Sequence, residues 1–117
     1  DLLWMFTTLE SHMKIYKHRT GGISGVISLR QITGLFMNTE RRRFDQQTLR
    51  EILAVSPRIF ALKWELRNNR YELIVDIPDE KDPTRFRAGN LTTHQSRIRL
   101  QQFKNELVQI LCNFFRK

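Results

Sequence analysis

Cysteine is nearly missing from this chain: Cys112 stands alone. One thiol excludes an intrachain disulfide and a cysteine-based zinc site. Its place in an apolar run makes it read as a buried small hydrophobe, and the usage fits a reducing compartment. Long hydrophobic runs are missing too. No stretch approaches the roughly 20 apolar residues that span a bilayer, so no membrane partner is expected. The opening Asp1-Leu2-Leu3-Trp4-Met5 has no basic leader, cleavage site or initiator methionine. The chain is therefore expected to be a single domain, residues 1–117, excised from a larger protein. Acidic residues are scarce: 12 Asp+Glu against 20 Lys+Arg leave a net charge of +8. That balance favours a polyanion or an acidic protein face, the bland alternative being a solvated basic surface.

The patterns of covalent chemistry are absent as well. His12 and His18 are six residues apart, off the i,i+4 spacing a metal pair prefers on a helix, and His94 opens the last helix. Gly21-Gly22-Ile23-Ser24-Gly25 lacks the Gly-Lys-Ser/Thr of a phosphate loop. No serine sits in a Gly-x-Ser-x-Gly elbow. The acidic run Asp76, Asp79, Glu80, Asp82 reads as a solvated turn. The reading is of a non-enzyme without cofactor or metal.

What the chain does have is periodicity. With 40% hydrophobic residues and 10% aromatics it is a globular sequence, and one of this length buries roughly two-thirds of its unfolded surface. Leu2, Phe6, Leu9, Met13 and Tyr16 mark one face of a helix from about 2 to 18, ended by Gly21-Gly22 after the cations Lys17, His18 and Arg19. Ile23 to Ile27 forms a short pairing strand. Ser28 is the natural N-cap of a helix presenting Leu29, Ile32 and Phe36, weakened at Gly34 by roughly 1 kcal/mol. Asp45 caps a third helix with the stripe Leu49, Ile52 and Leu53, and Ser56-Pro57 stops it.

The period then changes to two. Phe60, Leu62 and Trp64 alternate with Ala61, Lys63 and Glu65; Tyr71, Leu73, Val75 and Ile77 form the return strand; Arg67-Asn68-Asn69-Arg70 makes the tight turn between them. A polar loop, Pro78 to Pro83, follows. Thr92 and Gln95 have capping-box spacing at the start of a final helix carrying Leu100, Phe103, Leu107, Ile110, Leu111 and Phe114, extended by Phe115. That wide apolar face is expected to pack on the core, the alternative for its excess being a partner surface. The order defines an α+β winged helix: a three-helix core, a two-stranded wing with a basic tip, and a long C-terminal helix.

In a winged helix the third helix is the one that enters a major groove. Arg41-Arg42-Arg43 leads into it, and Gln46, Gln47, Arg50 and Glu51 are its expected exposed positions. Arg67 and Arg70 crown the wing. Arg41, Arg42, Arg67 and Arg70 are candidates for charge-assisted hydrogen bonds to acidic partner groups, and Gln47 and Arg50 for contacts to bases. Arg43, beside the apolar Phe44, reads as structural.

The stretch from Arg41 to Trp64 resembles the central winged-helix domain of the eukaryotic replication licensing factor family, which geminin restrains in animals. Met5-Phe6, Arg42-Arg43-Phe44, Leu49-x-x-Ile52, Val55-x-Pro57, Phe60-Ala61-Leu62 and Tyr71-Glu72-Leu73 carry the likeness, with Arg99 through Phe115 similar to that family's closing helix. It covers nearly the whole chain. The resemblance implies a nuclear, non-catalytic adaptor that works with the origin recognition complex assembly to load the MCM helicase. It implies geminin as an inhibitor. Among the surface cations, Lys14 and Lys17 on the first helix are weaker candidates for an inhibitor contact, and contact with DNA is expected to be weak and nonspecific. Two features depart from the pattern: the segment upstream of the first helix that carries the family's main geminin contact is not in this sequence, and Thr7-Thr8 stands where animal members usually carry arginine. The alternatives are a sequence-specific DNA-binding winged helix of transcription-factor type and a structural domain inside a larger enzyme.

Overall fold

The computed structural model of the chain describes residues 1–19 and 26–116. Its elements are α1 (Leu2–Arg19), β1 (Ile27–Ser28), α2 (Leu29–Leu35), α3 (Gln46–Val55), β2 (Ala61–Arg67), β3 (Arg70–Asp76) and α4 (Thr93–Phe115). This is a mixed α+β architecture: four helices, the last one long, and an antiparallel sheet in the order β1-β3-β2. Of the segment expected as a first strand, Ile27 pairs with Val75, and the pairing runs one residue further, to Ser28 opposite Ile74. Residues 23–25 of that expectation, and the glycine pair expected to end α1, lie outside the described residues.

Capping chemistry sets three of the helix starts. The Ser28 hydroxyl accepts from the Gln31 N–H at 3.1 Å, while the Gln31 side chain accepts from the Ser28 N–H at 2.9 Å. Asp45 Oδ1 accepts from the Thr48 N–H at 3.1 Å. Thr92 and Gln95 repeat the reciprocal arrangement at the head of α4. Just after Gly34, α2 loses its α register at Leu35, and the chain continues as a π-helical turn, Phe36–Glu40, closed by Arg41 with φ of 55°. The β2–β3 hairpin turns through Asn68 and Asn69, both at positive φ (51° and 63°), which matches the two-residue turn favoured by the strands' twist.

Aromatic rings fill the core. Phe6 of α1 stacks on Phe103 of α4 with centroids 4.4 Å apart, and Phe36 meets Phe44 at 4.7 Å. Leu9, Met13, Ile32, Leu49, Ile52, Ile59, Val75 and Ile77 belong to the same cluster. Two buried ion pairs lace it. Arg99 of α4 donates to Glu10 at 3.0 Å and to the Ile59 carbonyl at 2.7 Å, joining α4, α1 and the turn before β2. Lys17 meets Asp76 at 2.8 Å, tying the end of α1 to the end of β3.

The structure corrects several expectations. Asp76 is not part of a solvated acidic turn: it is 1% exposed and held against the Lys17 ammonium of α1 at 2.8 Å. Cys112 is exposed, not buried. The reason lies in α4, whose apolar face packs on the core only through Phe103 and, in part, Leu100 and Leu107. Beyond them Ile110, Leu111, Phe114 and Phe115 are exposed, as the helix outruns the body it lies on. The apolar residues of β2 are likewise outward: Leu62, Trp64 and Leu66 are exposed, since the hairpin carries them past the edge of the core.

Candidate partner-binding surface

Three segments bring the expected cations to the surface. Arg41, Arg42 and Arg43 form the approach to α3, all exposed. Arg42 lies over the Trp4 ring at 5.1 Å and so is held to α1, and Arg43 pairs with Asp45 at 3.1 Å. Arg41 has no ion pair among the described residues. On α3 the outward positions are Gln46, Gln47, Arg50 and Glu51, with Gln47 donating to Glu51 at 3.4 Å. Leu49 and Ile52 face the other way, into the core. Arg70 is exposed at the hairpin.

Arg67 does not join this group. Its guanidinium donates to the Gln31 side chain at 3.3 Å and the Val26 carbonyl at 3.2 Å, and pairs with Glu65 at 3.4 Å. It ties the hairpin to the head of α2 and is not a free cation at the tip. Lys17, expected as an inhibitor contact, is 6% exposed and engaged by Asp76, so it offers nothing to a partner. Lys14 is half-buried: its ammonium donates to Ser96 at 3.2 Å across the α1–α4 seam.

The electrostatics follow from burial and hydrogen bonding. Desolvation pushes the Asp76 and Glu10 carboxyls above their ordinary values, partly offset by Lys17 and Arg99 respectively. The Thr48 N–H holds Asp45 below its ordinary value. Among the described residues no group of three or more His, Cys, Asp or Glu is placed to hold a metal ion. His12 instead pairs with Glu40 at 3.4 Å, next to the π-helical turn. No helix among the described residues is long and apolar enough to cross a membrane.

Sequence reasoning missed one feature, a groove of about 380 Å³ between the hairpin and the head of α2. Trp64, Tyr71 and Leu73 line one side, Leu29, Arg30 and Thr33 the other. Trp64 and Tyr71 are 66% and 70% exposed. The signal was in the alternation: Trp64 faces Leu73 and Leu66 faces Tyr71 across the strands, so all four share one face of the hairpin. What periodicity does not reveal is how far that face extends beyond the core. Comparison with protein-family models gives no match, and comparison with curated protein sequences gives none either.

Proposed function

We propose that this α+β domain is a winged helix, with β2–β3 as its wing, and that it serves as a non-catalytic adaptor in replication origin licensing. In this reading it docks the MCM helicase within the origin recognition complex assembly, in the nucleus, under an inhibitor such as geminin. The resemblance of the Arg41–Trp64 stretch supplies the name of the partner. The observation that supports a protein partner is the hairpin, where exposed Leu62, Trp64, Leu66 and Tyr71 stand beside the cation Arg70. Exposed aromatics with arginine are the side chains that anchor protein interfaces, whereas nucleic-acid backbones are met by dense cation arrays. Arg41, Arg42 and Arg70 then meet acidic groups of the helicase.

One observation favours a second reading, sequence-specific DNA binding: Gln47 and Arg50 are exposed on α3, and both residue types read base edges. The two readings part in fluorescence anisotropy with labelled duplex DNA at two salt concentrations, with a scrambled-sequence competitor. The adaptor predicts weak, sequence-blind binding that fades with salt. Selective binding that survives near-physiological salt, with Gln47→Ala or Arg50→Ala costing about 1–3 kcal/mol at one base position, establishes the DNA reader instead.

A further inference from the structure

Where β1 ends at Ser28, opposite Ile74, β3 still has Arg70 to Leu73, which pair only with β2 among the described residues. In an antiparallel ladder alternate residues turn both N–H and C=O away from their partner strand. This stretch therefore offers backbone donors and acceptors along a free edge, and the head of α2 forms the opposite wall of the groove beside it. Leu29, Trp64 and Tyr71 supply apolar walls, and Arg30 and Arg70 flank them. Neither arginine has an ion pair among the described residues. One carboxylate, Glu72, also lines the groove.

We propose that this groove takes an extended acidic segment of a partner protein, laid antiparallel along Arg70–Leu73 in continuation of the line of β1. Strand addition at an open edge draws affinity from main-chain hydrogen bonds and specificity from pockets for alternate side chains. Apolar side chains of the segment seat against Trp64 and Tyr71, and its carboxylates meet Arg30 and Arg70. A nucleic acid fits less well, because duplex DNA presents a charge about every 1.7 Å and this groove offers two cations, a carboxylate and apolar walls. The proposal rests on the adaptor reading only in taking the partner to be a protein.

The test is a titration of the isotope-labelled domain with a capped peptide of alternating glutamate and leucine about eight residues long, followed by amide shifts. A lysine–leucine peptide serves as counterpart. Saturable shifts at residues 29–33, 64 and 70–73 with the acidic peptide alone are expected. Arg70→Glu and Tyr71→Ala, both at exposed positions, should each weaken binding about tenfold, with the free variant's spectrum reporting that the fold is kept. Absence of saturable shifts, shifts elsewhere, or unchanged affinity in both variants would overturn the proposal. So would a duplex oligonucleotide that displaces the peptide from the same amides. Helicase binding without peptide binding removes the groove and leaves the adaptor; peptide binding without helicase binding does the reverse.

Discussion

Lys17→Met would leave Asp76 in place, 1% exposed, with its cation gone from 2.8 Å away. Removing one partner of a buried pair costs about 3–5 kcal/mol, because an uncompensated charge remains. Urea unfolding of this variant should show a loss of that size, and adding Asp76→Leu should restore most of it. The pH dependence of stability has two opposing parts. Burial raises the Asp76 and Glu10 carboxyls above 3.8 and 4.5, so the folded chain holds their protons more tightly than the unfolded one. That contribution is fully present below those values and is lost as pH rises through the raised folded ones. Asp45 acts in the other direction: its carboxyl is held below 3.8, so its contribution is present above 3.8 and lost as pH falls through the folded value. Asp45→Ala is therefore expected to be less stable than the parent near neutrality, with the gap closing as pH drops below 3.8 in a denaturation series. A gap independent of pH contradicts the assigned hydrogen bond. At this scale the sequence read caps well, since Ser28, Asp45 and Thr92 act on neighbours three residues away. It misread Lys17, Asp76 and Arg67, whose roles depend on partners far along the chain.

At the scale of elements, Gly34 and Thr92 give complementary tests. Gly34 has helical geometry with open space around its missing Cβ, so Gly34→Ala should raise stability by about 0.5–1 kcal/mol. It should do so without altering the positive φ at Arg41 that closes the π-helical turn. Thr92→Ala removes the hydroxyl that accepts from Gln95 and should cost about 1 kcal/mol, visible as a lower thermal midpoint. Helix and strand positions were legible because the period switches from 3.6 to 2 after Pro57, and because Asn68-Asn69 suits a two-residue turn. The destination of each apolar face was not legible. Heptad-like spacing on α4 continues from Leu100 to Phe114 although the body beneath it ends near Leu107, and β2 keeps its alternation where there is no longer a core to face. Periodicity reports that a face exists; only the tertiary arrangement says what covers it.

Over the whole molecule, the +8 charge and the exposed hairpin act together. A net positive field steers any acidic partner toward the domain and falls off with salt, while apolar contacts at Trp64 and Tyr71 persist when the field is screened. A protein adaptor should thus lose association rate, more than residual affinity, as salt rises. The candidate surface was partly legible: Arg41, Arg42, Gln47, Arg50 and Arg70 stand outward as expected, whereas the groove that adds Arg30 depends on where β1 stops. The most direct test of the adaptor reading is a titration of the labelled domain with purified MCM helicase, with duplex DNA as competitor. Saturable binding that DNA does not displace, and that weakens when Arg41 and Arg42 are reversed to glutamate, is the predicted result. No helicase binding, together with sequence-selective DNA binding at near-physiological salt, would contradict it.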